Sequence, residues 1–252
     1  MALLEARKVS VRFGGVAALT DIDVAFAAGE VCGLIGPNGA GKTTLFDTLS
    51  GVRTPSSGAI HFDDRDVTRR SPTWRSRNGI RRTFQRQQTF GWLSVEENLL
   101  VALEWRGGGG GLFADLVRLP ARTAKEGARR ERVAEVLEVC GIADVRSEPA
   151  GKLPIGRARM VEMARAIVDP PQVLLLDEPT SGLEDAEVEN LGHTIQRVRR
   201  EAGCTVVLVE HDVGFVMRQC DRIVVLNLGR VIADGPPQEI RNDAAVGAAY
   251  LG

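Results

Sequence analysis

The fold of this chain is decided by one short stretch of sequence, Gly36-Pro37-Asn38-Gly39-Ala40-Gly41-Lys42-Thr43. It fits the pattern G-x-x-x-x-G-K-[ST], and it lies between an apolar run at residues 30–35 and a segment at residues 44–49 that is typical of a helix. Glycines let successive backbone N–H groups curve around phosphate oxygens, and the start of a helix adds partial positive charge. The stretch therefore predicts a phosphate-binding loop, although a plain strand–turn–helix corner would have the same outline.

Lys42 favours the phosphate-binding interpretation. The chain has 32 basic residues, of which only Lys8, Lys42, Lys125 and Lys152 are lysines. An ordinary exposed cation would therefore have been arginine, whereas a compact ammonium fits inside such a loop. We expect Lys42 to reach the β- and γ-phosphates and the hydroxyl of Thr43 to face Mg²⁺. The residues predicted to bind nucleotide in this segment are Gly36, Pro37, Asn38, Gly39, Ala40, Gly41, Lys42, Thr43 and Thr44.

A second apolar run, residues 173–176, ends in Asp177 and Glu178. In open α/β sheets, ligands bind at the carboxyl ends of the parallel strands. We expect Asp177 to hold Mg²⁺ and Glu178 to orient or deprotonate the attacking water. An isolated Asp-Glu pair could simply cap the next turn, but the upstream loop makes that the weaker interpretation.

The composition is that of an ordinary soluble globular protein, with 44% hydrophobic and 26% charged residues. The formal net charge of −1 leaves no global field to attract nucleic acid or anionic lipid. Four widely spaced cysteines indicate reduced, buried thiols rather than disulfides or a metal site. We find neither a signal peptide nor an apolar run long enough to cross a bilayer, so a partner would have to span any membrane that the protein serves.

Strands alternating with helices at both ends of the chain predict an α/β fold with a parallel sheet. Alternating apolar and polar residues at 9–13 and 22–26 predict antiparallel strands. We expect one domain, residues 1–252, with an α/β core at 1–86 and 161–252 and an inserted helical part at about 87–160. Within it, Ser94 and Glu97 form a capping-box pattern, and the glycine run at 107–111 indicates a flexible loop. The arginine-rich segment 65–86 has little apolar periodicity and is predicted as a loop with one short strand.

With these motifs in place, the chain resembles the nucleotide-binding subunit of ABC transporters along essentially its whole length. The resemblance implies a P-loop NTPase core with an antiparallel β subdomain and an inserted helical subdomain. It implies that Phe13 stacks on adenine and that Gln85 senses the γ-phosphate through Mg²⁺ and water. It also implies that His211 contacts the γ-phosphate and that Gly182-Leu183-Glu184 forms the loop after the catalytic acid. Each feature alone is weak, and the specific signal is the ordered set.

The family's signature, usually Leu-Ser-Gly-Gly-Gln, corresponds here to Leu153-Pro154-Ile155-Gly156-Arg157. Proline replaces a serine that would donate to the phosphate bound by the opposite subunit. Gly156 and the start of the following helix can still hold an anion. Arg157 at a positive helix end suggests a nearby anion, and we hypothesise that it contacts nucleotide phosphate or an acid of the partner.

The resemblance also implies partners and a location. It implies ATP and Mg²⁺, multi-spanning permease subunits, and a second ATPase subunit at the cytoplasmic face of the membrane, with no nucleic acid. The altered signature favours a heterodimer over a homodimer. Details at residues 82–85, 97–100 and 240–252 resemble the longer ATPase subunit of uptake systems for branched-chain or hydrophobic amino acids, amides or urea.

Two alternatives remain open: the ATPase of lipopolysaccharide transport, and a soluble ABC ATPase acting on nucleic acid or the ribosome. Phe90, Trp92 and Leu93 are candidates for a groove that receives a permease helix, with local core packing as the equal alternative.

Overall fold

The computed structural model describes residues 2–83, 88–104 and 120–251. The strands are β1 (Ala2–Phe13), β2 (Val16–Ala27), β3 (Val31–Ile35), β4 (Ser57–Phe62), β5 (Arg65–Asp66), β6 (Ile80–Arg82), β7 (Val173–Asp177), β8 (Thr205–Val209), β9 (Arg222–Asn227) and β10 (Arg230–Gly235). The helices are α1 (Lys42–Ser50), α2 (Pro72–Arg77), α3 (Val95–Leu103), α4 (Pro120–Val139), α5 (Ile155–Ile167), α6 (Asp185–Ala202), α7 (Val213–Gln219), α8 (Pro237–Asn242) and α9 (Ala244–Leu251).

Two sheets are formed, and they confirm the predicted combination of parallel and antiparallel pairing. An antiparallel sheet has the order β2-β1-β4-β5, and a six-stranded sheet has the order β10-β9-β3-β8-β7-β6. In the second sheet β6, β7, β8, β3 and β9 are parallel and only β10 is antiparallel. Every residue of β3, β7 and β8 is buried, as expected for strands covered on both faces. Their carboxyl ends therefore meet at one edge, where the phosphate-binding loop and the two acids emerge.

The chain groups into two compact units. The sheet unit comprises residues 1–85, 171–181 and 195–252, and the helical unit comprises residues 86–170 and 182–194. The core of the sheet unit contains fully buried aromatic and aliphatic side chains from β1, β2, β3 and α1, among them Phe26, Leu34 and Phe46. In the helical unit, α3 packs on α4 and α5.

Helix α3 starts where the sequence predicts. Ser94 Oγ accepts from Glu97 N, and the Glu97 carboxylate accepts from Ser94 N, so the capping box is confirmed. The four cysteines are all buried and form no disulfide, which confirms the predicted thiols. Burial raises the pKa of Cys32 and Cys204 to about 12, so neither is a reactive thiolate at neutral pH.

The segment 65–86 is more ordered than its sequence suggests. Helix α2 forms there, with Ser71 Oγ capping it by accepting from Trp74 N and with Pro72 at its first position. Arg75 on α2 is fully buried and donates to the carbonyls of Thr48 and Leu49 at the end of α1. The prediction of a loop was therefore wrong for residues 72–77, because this helix is held by a buried cation rather than by an apolar stripe. The glycine run at 107–111 lies outside the described residues.

Candidate nucleotide-binding and hydrolysis site

The phosphate-binding loop connects β3 to α1, which begins at Lys42. Gly41 has φ 102° and precedes the helix without any side-chain cap, so the first amides of α1 have no side-chain acceptor at that position. A Cβ at Gly41 would lie 2.7 Å from the carbonyl oxygen of Ala18, and one at Gly36 would lie 2.1 Å from that of Leu226. Backbone approaches this close require glycine, which explains why these two positions have no side chain.

The Lys42 side chain lies inside the loop that precedes it. Its Nζ donates to the carbonyl oxygens of Gly36 at 2.6 Å and Pro37 at 3.0 Å, and the residue is 6% exposed. Burial lowers the pKa of Lys42, and the charge of Glu178 partly opposes this shift. The loop thus presents one buried ammonium and a helix start without a side-chain cap, the combination that binds phosphate.

The predicted acids lie at the end of β7. Asp177 is 5% exposed, and its Oδ2 accepts from Nη2 of Arg82 at 2.8 Å. The next residue, Glu178, has φ 47°, which is uncommon for a residue with a side chain. Its amide donates to the carbonyl of Val209 at the end of β8, at 2.9 Å. A backbone of this kind costs of order 1–3 kcal/mol and is most often found at functional positions.

Glu178 and His211 form a pair. Oε1 of Glu178 lies 3.0 Å from Nε2 of His211, which follows β8. The sequence placed these residues on neighbouring strand ends, and the structure brings their side chains into contact.

The sequence analysis did not single out Glu210, although its carboxylate accepts hydrogen bonds from the backbone after Glu178 and from that of His211. Glu210 is 4% exposed and accepts from the amides of Thr180 and His211 at 2.7 and 3.0 Å. Its position directly after a fully apolar strand is the signal that could have identified it.

Phe13 ends β1 and is 44% exposed. The guanidinium carbon of Arg53 lies 4.2 Å from the centre of its ring, within cation–π range. An exposed aromatic of this kind is available for stacking on a flat base. Gln85 lies outside the described residues, so its predicted role stays a prediction. Thr83 anchors the strand before it, with its amide donating to the carbonyl of Leu175 at 2.9 Å.

The signature segment belongs to the helical unit. Pro154 precedes α5 without a side-chain cap, and Gly156 lies in the first turn. A Cβ at Gly156 would lie 1.8 Å from a carboxylate oxygen of Glu187, so only glycine fits. Nη1 of Arg157 donates to the carbonyl of Gly141 and to Oδ1 of Asp144, both at 2.8 Å. The anion that Arg157 contacts here is therefore an acid of its own chain.

The donor set fits a magnesium ion. Mg²⁺ is usually held by one or two protein oxygens together with substrate phosphates. Thr43 and Asp177, the residues that the sequence predicts to face the ion, have a hydroxyl and a carboxylate of that kind. Across residues 2–83, 88–104 and 120–251, no group of three or more His, Cys, Asp or Glu side chains could hold a metal by itself. In the same part of the chain, no helix has the length and apolarity needed to cross a membrane.

Known proteins with similar sequences indicate the same kind of protein as the geometry does. Residues 19–181 match the family model described as ABC transporter, and residues 230–252 match a model described as branched-chain amino acid ATP-binding cassette transporter. The high-affinity branched-chain amino acid transport ATP-binding protein LivG of Salmonella typhimurium is 38% identical over 250 residues, covering 99% of this chain and 98% of the relative. The lipopolysaccharide export system ATP-binding protein LptB of Escherichia coli is 33% identical over 252 residues, covering 100% and 98%.

A solved structure agrees with the fold. The ADP conformation of MJ1267, an ATP-binding cassette of an ABC transporter, has a TM-score of 0.86 and 28% identity, covering 100% of this chain and 99% of that one. The matched family model, the full-length relatives and the fold agree, and the chain belongs to the ATP-binding subunits of ABC transporters, which hydrolyse ATP.

Proposed function

We propose that this chain powers the uptake of branched-chain or other hydrophobic amino acids, with amides or urea as alternative solutes. The observation that supports this most is the C-terminal segment 230–252, which matches a model described for branched-chain amino acid cassettes. LivG, a branched-chain amino acid transport protein, is similar over 99% of the chain, which supports the same solute class.

In the proposed mechanism the loop holds the triphosphate. The α1 amides and the Lys42 ammonium provide hydrogen bonds and positive charge to the phosphate oxygens. Lys42 has to exchange its bonds to the Gly36 and Pro37 carbonyls for phosphate oxygens. The burial that lowers the pKa of Lys42 also removes water from around its ammonium, so its attraction to an anion is screened less than that of a surface lysine. Phe13 stacks on the base.

Glu178 activates the nucleophile. Its carboxylate accepts a proton as the water oxygen bonds to the γ-phosphorus, and the bond from that phosphorus to the oxygen of ADP breaks. His211, 3.0 Å from Glu178, orients the carboxylate and offers a donor for the γ-phosphate. Magnesium, held by Thr43 and Asp177, would neutralise charge on the phosphates.

We propose that the chain acts in a dimer, with a second and different ATPase subunit. In this family ATP lies between the loop of one subunit and the signature of the other. Pro154 has no donor for that ATP, and Arg157 is engaged by Asp144 of its own chain. A partner with a more regular signature would compensate at one of the two sites.

A permease-contacting surface is the third part of the proposal. Trp92 is 81% exposed, and its ring is tilted by 58° against that of Phe90, with the ring centres 6.1 Å apart. The exposed indole presents apolar area that a helix of a permease could cover. Its exposure supports permease docking, at the cytoplasmic face of the membrane, over local core packing.

Lipopolysaccharide export is the second candidate, because LptB is similar over the whole chain. Its identity of 33% is lower than the 38% of LivG. The nucleic-acid alternative loses support because two arginines of the basic segment, Arg75 and Arg82, are internal rather than exposed.

Reconstitution tests the proposal. The chain would be co-expressed with the permease subunits and the second ATPase subunit of the proposed uptake system, purified, and placed in lipid vesicles with ATP inside. We expect ATP-dependent accumulation of leucine or valine with the cognate binding protein, and none with the Lys42→Ala variant. Extraction of lipopolysaccharide in the same system, without amino acid accumulation, would replace this proposal with the export function.

A further inference from the structure

Arg82, at the end of β6, lies between two acids of the sheet unit. Its Nη2 donates to Oδ2 of Asp177 at 2.8 Å, and its Nη1 donates to Oδ1 of Asp47 at 2.6 Å. Nη1 also donates to Oγ of Ser50 at 3.1 Å. The guanidinium therefore joins the end of β7 to α1, the two elements that present the magnesium ligands and the phosphate-binding lysine.

The environment makes these contacts rigid. The Arg82 side chain is 7% exposed and that of Asp177 is 6% exposed, so both charges are removed from water. The guanidinium carbon also lies 5.7 Å from the centre of the Phe46 ring in the core. Buried charges of opposite sign that are hydrogen-bonded to one another keep a fixed geometry, because separating them would leave each without a counter-charge.

One carboxylate oxygen of Asp177 is thus hydrogen-bonded to Arg82. Because Arg82 contacts Oδ2, we expect Oδ1 to be the oxygen that would hold a metal ion or water bound to it. The guanidinium of Arg82 is planar and donates from two nitrogens in a fixed geometry, which the single ammonium of a lysine cannot do. A guanidinium in this position fixes the rotation of the metal-binding carboxylate and its separation from α1.

We infer that Arg82 is a positioning residue that sets the magnesium affinity of the nucleotide site through Asp177. The inference rests on the proposed roles of Thr43 and Asp177. It requires no contact between Arg82 and the nucleotide. Loss of the pair should therefore leave metal-free binding of the triphosphate by the loop intact while raising the magnesium requirement.

The test is a magnesium titration of nucleotide binding, measured with the fluorescent analogue trinitrophenyl-ATP on purified protein at a temperature where hydrolysis is negligible. Affinity is measured first in EDTA and then at rising Mg²⁺ concentration. For Arg82→Met we expect metal-free affinity within about twofold of wild type and a half-maximal Mg²⁺ concentration about tenfold higher, as is typical when a partner of a metal-binding side chain is lost. For Arg82→Lys we expect about threefold, because one ammonium keeps the charge but not the bridge.

Two controls separate this role from general packing. Arg81→Met removes a cation from the neighbouring position of β6, where Nη1 donates to Ser76 Oγ, and should leave the Mg²⁺ dependence unchanged. Asp47→Asn keeps the Asp177 contact and should raise the Mg²⁺ requirement less than Arg82→Met does. If Arg82→Met does not fold, the Arg82→Lys titration decides.

The outcomes separate the inference from the proposed function. If wild type binds the analogue and responds to Mg²⁺ but the Arg82 variants respond at the same or lower Mg²⁺ concentration, the positioning role is wrong. If wild type itself binds no analogue, or binds it with no response to Mg²⁺, the proposed nucleotide site is wrong instead.

Discussion

Charged side chains are buried to different extents at the nucleotide edge of the sheet unit and at the signature segment of the helical unit. At the sheet edge the acid Asp177 is buried and paired with Arg82, and Glu178 is paired with His211. At the signature, the cation Arg157 is 37% exposed and bonded to an exposed acid, Asp144. The pairs at the sheet edge hold their side chains in place without a ligand. The Arg157–Asp144 pair could be displaced by a partner at small cost, because exposed ion pairs contribute only about 0–1 kcal/mol.

The largest effect is expected at the sheet edge. Glu178→Gln should lower ATP turnover by about 10²–10⁴-fold, the range for loss of a general base, while ATP binding persists. Steady-state phosphate release and equilibrium ATP binding on the assembled complex measure both. His211→Ala should cause a smaller loss, because it removes the orienting partner and keeps the base. Normal turnover in Glu178→Gln would assign the base elsewhere.

Substitution of Arg157 in the signature segment should lower ATP turnover about tenfold. If Arg157 leaves Asp144 for a phosphate or a partner acid in the closed dimer, Arg157→Ala removes a charged hydrogen bond worth about 1.5–3 kcal/mol and lowers turnover roughly tenfold or more. Thermal unfolding of the isolated chain should hardly change. Asp144→Asn is the matched control, because it removes only the contact within the chain and should keep or raise activity. Unchanged turnover in Arg157→Ala would confine Arg157 to the Asp144 pair.

A third prediction compares two acids of the helical unit, Glu162 and Glu96. Glu162 on α5 is 8% exposed, and its carboxylate accepts from the backbone N–H of Gln88. Burial raises the pKa of Glu162 above its ordinary 4.5, with the backbone hydrogen bond and the charges of Arg159 and Arg165 opposing the shift. A raised pKa stabilises the fold fully below pH 4.5, and this contribution is lost as the pH rises through the folded-state value.

Glu162→Gln should therefore be more stable than wild type at pH 7, by of order 1 kcal/mol, with the difference vanishing below about pH 4.5. Urea unfolding at several pH values measures it. Glu96→Gln is the control of opposite sign. Hydrogen bonds from Arg146 lower the pKa of Glu96, so that acid stabilises the fold above pH 4.5, and the contribution is lost as the pH falls through its lowered value. A constant difference across pH for Glu162→Gln would contradict the burial argument.

The smallest effect is expected at Phe13. Arg53→Met removes the cation from its ring, a contact worth about 0.5–1 kcal/mol at exposed sites, and should weaken ATP binding about two- to fivefold. Binding of inorganic triphosphate, which has no base, should not change. An equal loss for both ligands would mean that Arg53 acts on the phosphates rather than through Phe13.

Much of the fold and the site could be predicted from the sequence because the information is local. A loop that binds phosphate does so through consecutive backbone amides, so the spacing of residues 36–43 is enough to predict the candidate site. Asp177 ends an apolar strand, Glu178 directly follows it, and His211 is the second residue after another apolar strand. Parallel strands bring such ends to one edge. The resemblance to ABC transporters that these motifs indicated is confirmed by the comparisons.

Only the tertiary structure decided which charges meet. Arg82 and Asp177 are 95 residues apart in sequence, and in an arginine-rich segment nothing local distinguishes Arg82 or Arg75 from their exposed neighbours. Helix α2 was missed for the same reason, since it is anchored by a buried guanidinium and has no apolar periodicity. The side chain of Arg157 likewise contacts Asp144, and this pairing depends on the position of the turn after α4. Local motifs determine what a segment can bind, whereas long-range ion pairs depend on the packing of distant elements, which short sequence patterns do not encode.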